Sequence, residues 1–275
     1  MLFRQIVKSF FAAFSLYSKI PLPSFRWDSE DMKFHLCFFP LVGAVIGLAA
    51  FFWYKACILL SSAGILSPDS IVYPFCSLLI PLLISGGFHL DGFMDTMDAL
   101  HSYGDRQKKL EILKDPHVGA FSIISLMVFL LAMLAALSVI FEKPGYEVIF
   151  LCHSFYVSRI LSALSVLLFP KAKKDGMLAA ESRTDRRLSV IIILFMELLA
   201  DFLLLAFYIY SHGQGLYDYL LLPVFFVVMM ISFIYYYLMS KRQFGGISGD
   251  LSGFFVCISE GTVLLLLSVL KIFFM

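Results

Sequence analysis

The residues whose types and spacing could do chemistry lie in one stretch, from Gly86 to Asp98. It holds one histidine and three aspartates in a chain that is otherwise strongly apolar. On a regular helix, Asp91, Asp95 and Asp98 occupy positions i, i+4 and i+7, within roughly 40° of one face. Three carboxylates on one face repel one another unless a cation lies between them. The spacing therefore predicts a divalent-metal site, and the alternative is a solvated acidic helix start.

His89 stands apart from the aspartates in helical geometry. It precedes Asp91 by two residues, about 200° around a regular helix. It can join the metal ligands only if the helix breaks there, which Gly86, Gly87 and Gly92 would allow. Otherwise we expect His89 to support the metal ligands, to contact substrate or to carry a proton in catalysis.

A second polar cluster follows the aspartates and is mostly basic. Arg106 and Lys114 could donate hydrogen bonds to phosphate oxygens beside a carboxylate–metal site, and Asp115 is a further candidate substrate contact. The alternative for the cations is an ordinary solvated helix. Asp115 precedes Pro116, so a simple local turn also accounts for it.

A glycine-rich segment, residues 245–250, is the third cluster. Its glycines free backbone N–H groups to approach a phosphate, and Gly245, Gly246 and Ser248 are candidate substrate contacts. It is not a P-loop, because no Gly-Lys-Ser/Thr follows. Asp250 is a candidate metal ligand, with a helix N-cap as the alternative.

Charged residues also fall inside apolar segments. Arg159 and Glu260 lie deep in two predicted membrane spans, where a charge is costly and is usually functional or paired. Arg159 is a candidate substrate contact, with an ion pair to Glu260 as the alternative. Glu197 and Asp201 lie one turn apart in another span, and the sequence assigns them no role.

The elements that must position these residues are membrane helices. The 275 residues are 60% hydrophobic and 15% charged, whereas a soluble domain carries about 25% charged residues. We predict an all-α, polytopic transmembrane bundle that forms a single integral-membrane domain over residues 1–275. Residues 1–17 should form an amphipathic interfacial helix, and residues 91–113 a polar helix outside the hydrocarbon. The seven predicted spans are residues 38–60, 71–85, 120–141, 146–169, 189–210, 217–240 and 251–275.

Two features refine this bundle. Gly43 and Gly47 form a small-xxx-small pair that would let a neighbouring helix approach closely, and the alternative is that the two glycines are tolerated at random in a membrane helix. Seventeen Lys and Arg residues fall in one set of alternating loops and one falls in the other, which places the N-terminus in the cytoplasm. The basic set is residues 1–37, 86–119, 170–188 and 241–250, and the other set is residues 61–70, 142–145 and 211–216.

Three stretches carry a resemblance to a known family. Residues 86–98 match the signature Gly-Gly-x-His-x-Asp-Gly-x-x-Asp-x-x-Asp of the cobalamin synthase family, the adenosylcobinamide-GDP ribazoletransferases. The chain departs from the family pattern at Ala99, where glycine is expected. The second stretch resembles the family's second cytoplasmic block and consists of Arg106, residues 110–115 and residues 119–121. The third stretch resembles the family's glycine-rich block and consists of residues 245–250 with Glu260.

The resemblance implies a Mg2+-dependent phosphotransfer at the cytoplasmic face of the bacterial inner membrane. A hydroxyl of α-ribazole, or of its 5′-phosphate, would attack the cobinamide-linked phosphorus of adenosylcobinamide-GDP and release GMP. We expect membrane lipid as a partner and no nucleic acid, and we leave open whether the chain forms a homo-oligomer.

The resemblance also implies roles for the candidate residues. The aspartates would hold one or two Mg2+ ions, and the basic residues of the second cluster would clamp phosphates. His89 or one of the aspartates would accept the hydroxyl proton. The implied metal ligands are Asp91, Asp95 and Asp98, with Asp250 as an addition, and the implied phosphate clamps are Arg106 and Lys114.

Two other functions compete with this one. A CDP-alcohol phosphotransferase uses a similar aspartate-rich helix, but no Ala-Arg pair follows the Asp91-Gly92 core here, and a histidine precedes it. A secondary transporter would place its acids near the middle of the membrane on broken helices. Most acids here fall in the predicted cytoplasmic loops, and only Glu260, Glu197 and Asp201 favour a transporter.

Overall fold

The computed structural model describes residues 2–23, 32–143, 145–172 and 186–274. Within these ranges the chain forms ten α-helices and no β-strand. Most of the basic 170–188 loop lies outside the described residues. The helices are α1 (Leu2–Tyr17), α2 (His35–Ser62), α3 (Val72–Ser85), α4 (Phe88–His101), α5 (Arg106–Ile112), α6 (Ala120–Glu142), α7 (Glu147–Leu168), α8 (Arg187–His212), α9 (Leu216–Gln243) and α10 (Gly249–Phe274).

Six of these helices, α2 and α6 to α10, are long and apolar enough to cross a membrane. Helices α3 and α4 reach that length only together, as a pair bent by 95°. The bend falls at Gly86 and Gly87, whose φ angles are 72° and 81°. Residues with a Cβ rarely adopt that conformation, so the glycine pair permits the bend. The all-α prediction with about seven spans is confirmed: six helices could each cross a membrane, and the bent pair has the form of a broken seventh span or of a re-entrant loop.

The prediction of one polar helix over residues 91–113 is wrong. Helix α4 begins earlier, at Phe88, and ends at His101, and α5 starts only at Arg106. The side chain of Asp105 accepts a hydrogen bond from the backbone N–H of Lys108 at 2.9 Å and so caps α5. Gly104 and a capping aspartate favour a new helix start over continuation of the old helix.

Helix α7 lies at the centre of the bundle, and all its residues from Val157 to Leu167 are buried. It crosses α2 at the two glycines that the sequence singled out. A Cβ on Gly43 would overlap the carbonyl oxygen of Phe155, and one on Gly47 would lie 2.5 Å from that of Cys152. The predicted close approach of a neighbouring helix is confirmed, because only glycine leaves room for these carbonyls.

Helix α4 packs along α10 and α6, and this packing positions the aspartates. A Cβ on Gly92 would lie 2.6 Å from the backbone oxygen of Asp250, and one on Gly253 would lie 3.2 Å from the Cα of His89. The ring of Phe93 stacks on that of Phe254 with centroids 5.9 Å apart. The aspartate helix is therefore fixed against the glycine-rich segment at the start of α10.

Candidate active site

Helix α4 turns its small and apolar side towards the bundle. Asp91 is exposed, and Asp95 and Asp98 are half-buried. The carboxylates therefore share one accessible face, as the helical period predicts. The residues of α4 that are buried against the bundle are His89, Gly92, Phe93, Thr96 and Ala99.

Asp250 extends this face from the neighbouring helix. Its backbone passes over Gly92 because that position has no side chain. The negative charges of Asp91, Asp250 and Asp98 all act on Asp95, which burial also desolvates. We call these four carboxylates the acidic surface. Like charges so close together favour the binding of a cation.

The donor atoms of the acidic surface fit a magnesium ion. Mg2+ takes oxygen ligands, keeps several waters and usually binds one or two carboxylates together with substrate phosphates. In the described residues, no three His, Cys, Asp or Glu side chains converge closely enough to hold an ion by themselves. The arrangement suits an ion that shares its coordination with a phosphorylated substrate.

Asp98 also lies at the N-terminal end of α6. A Cβ on Gly119, which precedes that helix, would overlap the carboxylate of Asp98. The partial positive charge of a helix N-terminus favours a nearby carboxylate. Gly119 therefore lets Asp98 approach the start of α6, which joins the 119–121 segment to the acidic surface.

Arg106 joins the second cluster to the glycine-rich segment. Its Nε donates a hydrogen bond to the carbonyl oxygen of Phe244 at 2.7 Å. Its guanidinium also lies over Gly245, where any Cβ would overlap it and where φ is 78°. Nearby, the Nζ of Lys109 donates to Oε1 of Gln243 at 2.6 Å. The two clusters therefore meet, as phosphate binding by both would require.

Two candidates in the glycine-rich segment already have local partners. The N–H of Gly246 donates to the carbonyl oxygen of Ser240 at 3.1 Å. The hydroxyl of Ser248 accepts from the N–H of Leu251 at 3.3 Å, at the start of α10. The structure thus gives both residues a role in shaping the segment, and their contact with substrate stays a prediction.

Lys114 and Asp115 lie in the turn after α5. The side chain of Lys114 is exposed. Asp115 accepts hydrogen bonds from the backbone N–H of His117 at 3.0 Å and from its Nδ1 at 2.6 Å. These bonds hold the pKa of Asp115 below its usual value. The local turn considered from the sequence is present, and substrate binding by either residue stays a prediction.

His89 faces the interior of the bundle. The glycine break precedes Phe88, so His89 and Asp91 belong to one continuous helix and point in different directions. The imidazole packs against the rings of Phe88 and Phe39, with centroids 3.9 and 5.9 Å away. Its Nε2 is buried and has no hydrogen-bond partner. This geometry separates His89 from the acidic surface.

Arg159 and Glu260 form the ion pair that the sequence left as an alternative. Nη1 of Arg159 lies 2.7 Å from Oε1 of Glu260, and the hydroxyl of Ser158 donates to the same oxygen at 2.8 Å. Arg159 is only 1% exposed, and its Nε has no partner. The pair ties α7 to α10, whereas contact of Arg159 with substrate stays a prediction.

A partly buried pair that the sequence analysis did not predict joins α7 to α8. Nδ1 of His153 on α7 lies 2.6 Å from Oδ1 of Asp201 on α8. The signal was present, because an aspartate inside a span calls for a partner. Glu197, one turn away, keeps one buried carboxylate oxygen without a partner.

With this geometry in view, comparison with known proteins decides the family. The sequence matches the family model described as cobalamin-5-phosphate synthase over residues 9–268. The chain belongs to the cobalamin-5-phosphate synthase family. The resemblance inferred from three short stretches is therefore confirmed over nearly the whole chain, and it favours this family over the CDP-alcohol phosphotransferases.

Named relatives in this family agree with one another. An adenosylcobinamide-GDP ribazoletransferase of Lachnoclostridium phytofermentans is 37% identical over 250 residues, covering 91% of this chain and 89% of the relative. One of Clostridium perfringens (strain ATCC 13124) is 30% identical over 256 residues, covering 93% and 95%. One of Fusobacterium nucleatum is 27% identical over 279 residues, covering 98% and 99%. No solved structure matches the chain.

In this member of the cobalamin-5-phosphate synthase family, the three motif stretches meet in space. The acidic surface on α4 adjoins the start of α10, and Arg106 reaches the glycine-rich segment that precedes it. Residues 86–98 and 245–250 are far apart in sequence, so their contact is a property of the fold alone.

Proposed function

We propose that this chain is a Mg2+-dependent adenosylcobinamide-GDP ribazoletransferase. The observation that carries the proposal is the meeting of the acidic surface with Arg106 and the glycine-rich segment, in a chain whose family relatives bear that name. Phosphotransfer from a nucleoside diphosphate to an alcohol uses carboxylates that hold a metal ion, a guanidinium, and backbone that can approach the phosphates closely, and all three are present here.

The reaction is an in-line displacement at phosphorus. The hydroxyl oxygen of α-ribazole, or of its 5′-phosphate, forms a bond to the phosphorus that carries cobinamide. The bond from that phosphorus to the bridging oxygen of GMP breaks, and GMP leaves with the electron pair. The hydroxyl proton passes to a base. The product is adenosylcobalamin or its 5′-phosphate.

Different residues would perform the metal-binding, phosphate-binding and proton-accepting parts of this reaction. Asp91, Asp95 and Asp98, with Asp250, would hold Mg2+, which when bound neutralises charge that develops on the bridging and leaving oxygens. Arg106, fixed through its Nε, presents the rest of its guanidinium beside Gly245, where it would orient the diphosphate. A carboxylate of the acidic surface is better placed than His89 to accept the proton, because His89 faces the other way.

The proposal also includes the membrane location of the protein and the side on which its active site lies. Six or seven apolar helices make the chain a multi-pass membrane protein. The excess of Lys and Arg in alternate loops supports a cytoplasmic N-terminus and an active site on the cytoplasmic side of the bacterial inner membrane. That side would receive both polar substrates directly from the cytoplasm.

The test uses purified protein in lipid nanodiscs with adenosylcobinamide-GDP and α-ribazole. We expect GMP release with Mg2+, none with excess EDTA, and recovery when Mg2+ is restored. Asp91→Asn should reduce turnover at least 100-fold while the protein keeps its thermal unfolding midpoint, because the amide loses the charge but not the shape. Near-normal turnover in this variant would show that Asp91 is not a metal ligand. Full activity in EDTA would show that the reaction does not require the metal.

A further inference from the structure

Two aromatic rings are stacked at the edge of the acidic surface. The imidazole of His101, the last residue of α4, lies against the ring of Phe121 in the first turn of α6. The ring centroids are 5.0 Å apart, and the two planes differ by only 6°. We call these two residues the aromatic pair. No part of the proposed reaction uses either ring.

The aromatic pair lies close to the carboxylate of Asp98. His101 follows Asp98 by three residues on α4, and residues at that spacing are neighbours on a helix surface, with Cβ atoms about 5–6 Å apart. Phe121 follows Gly119 by two residues, and a Cβ on Gly119 would overlap the carboxylate of Asp98. Both α4 and α6 therefore bring a ring to the same carboxylate.

Both rings are accessible to a ligand. His101 is exposed, and Phe121 keeps 48% of its surface exposed although its ring also meets the imidazole. Nδ1 of His101 donates a hydrogen bond to the carbonyl oxygen of Met97 at 2.8 Å, which holds the imidazole in place. A fixed and exposed pair of parallel rings offers a surface on which another flat aromatic group can stack.

Membrane lipid is the other group that could cover Phe121. Three exposed residues, Ile124, Val128 and Leu131, follow it along the same side of α6, and this side faces lipid where α6 crosses the membrane. Contact with lipid chains requires an apolar side chain but not a ring, and it gives no reason for an imidazole to lie on that ring. The stack at the end of α6 nearest to Asp98 therefore favours an aromatic ligand.

The groups that flank the aromatic pair indicate which aromatic ligand it binds. Asp98, an expected Mg2+ ligand, lies one turn before His101, and residues 102–105 alone separate His101 from Arg106, which would orient the diphosphate. A nucleotide whose diphosphate is held by these groups carries its base nearby, separated by one ribose. Entering and leaving groups lie on opposite sides of the phosphorus in an in-line displacement, so the acceptor's base requires a different place.

We propose that the aromatic pair binds the guanine base of adenosylcobinamide-GDP, which stacks on the exposed rings while the diphosphate lies between the acidic surface and Arg106. The assignment rests on the proposed function, because guanine belongs to a substrate of that reaction. Stacking of a base on aromatic side chains contributes affinity through the flat face of the base. The rings do not touch the reacting phosphorus, so they act on nucleotide binding and not on the chemical step.

The first experiment measures binding without turnover. The probes are GMP and ribose 5-phosphate, which is the same sugar phosphate without the base, and each is dialysed to equilibrium against protein in nanodiscs with Mg2+. We expect the parent protein to bind GMP about tenfold more tightly than ribose 5-phosphate, because only GMP can stack. Equal affinity of the parent protein for the two probes would overturn the proposal.

Matched variants separate the ring from its apolar character. Phe121→Leu keeps an apolar side chain for lipid but removes the ring, so it should abolish the preference for GMP, whereas Phe121→Tyr should keep it. Ile124→Ala, one turn further along the same exposed side of α6, is the control and should keep the preference within twofold. His101→Leu repeats the test if Phe121→Leu does not fold. An unchanged preference for GMP in the folded leucine variant would contradict the proposal.

Turnover then separates this inference from the proposed function. In the GMP-release assay, Phe121→Leu should raise the KM for adenosylcobinamide-GDP about tenfold without lowering kcat, because it removes binding that is equal in the ground state and the transition state. The KM for α-ribazole should change less than twofold, and an increase in that KM alone would overturn the proposal in favour of the acceptor's base. An active enzyme in which Phe121→Leu changes neither KM would overturn the guanine site and leave the reaction standing. A preference for GMP that depends on Phe121, in a protein that releases no GMP, would support a guanine-nucleotide site and reject the reaction.

Discussion

The contact between α4 and α10 at Gly92 gives the sharpest structural prediction. In Gly92→Ala, the new Cβ would lie 2.6 Å from the backbone oxygen of Asp250 and 3.0 Å from its Cα. Ordinary contact begins near 3.4 Å, so the two helices must separate by about 0.8 Å. Both contacting atoms are backbone, so no side chain can rotate away. Overpacking of this kind costs about 1–3 kcal/mol of folding free energy.

The activity should fall further than the stability. The separation moves Asp250 and the glycine-rich segment away from the aspartates of α4. A misplacement of about 1 Å can cost on the order of 100-fold in rate. We therefore expect Gly92→Ala to release GMP about 100-fold more slowly and to lower the thermal unfolding midpoint moderately.

The control for this prediction is an alanine where there is room. A Cβ on Gly215, in the loop before α9, would meet no heavy atom within 4 Å. Gly215→Ala should keep both turnover and midpoint close to those of the parent protein. If Gly92→Ala kept turnover within about twofold and the thermal unfolding midpoint within about one degree of the parent protein, the close crossing of α4 and α10 would be refuted.

Three further variants test other parts of the structure. Glu260→Ala leaves the charge of Arg159 buried and unpaired, so it should cost about 3–5 kcal/mol of stability, measured by chemical unfolding; a loss below 1 kcal/mol would contradict the pair. Gly43→Ala should lower the thermal midpoint because its Cβ overlaps the carbonyl of Phe155, and an unchanged midpoint would argue against this crossing. Gly245→Ala puts a Cβ at φ 78° under a guanidinium, and we expect turnover to drop at least tenfold; parental turnover would show that the segment tolerates displacement.

Much of this architecture follows from local pattern. Apolar runs predict the spans because a helix must cross about 30 Å of hydrocarbon. The spacing of Asp91, Asp95 and Asp98 predicts a shared face, and the structure keeps that face accessible. The same period predicts that His89 points elsewhere. Depth in the membrane predicts that Arg159 needs a partner.

What the sequence could not supply is which faces meet. No local sequence pattern predicts that Gly92 lies under the backbone of Asp250 or that Arg106 reaches Phe244. Both contacts depend on how α4, α5 and α10 are arranged. The interruption after His101 was missed because the charges on either side suit a helix, whereas Gly104 and the capping aspartate suit a break.

We conclude that this chain catalyses the transfer of the cobinamide phosphate group onto a ribazole hydroxyl. The most direct measurement follows GMP and the corrinoid product together, using purified protein in nanodiscs supplied with Mg2+ and both substrates. We predict one GMP per molecule of adenosylcobalamin or its 5′-phosphate, and no GMP when α-ribazole is withheld. Absence of product from folded protein, or GMP release that does not depend on the acceptor, would contradict the claim.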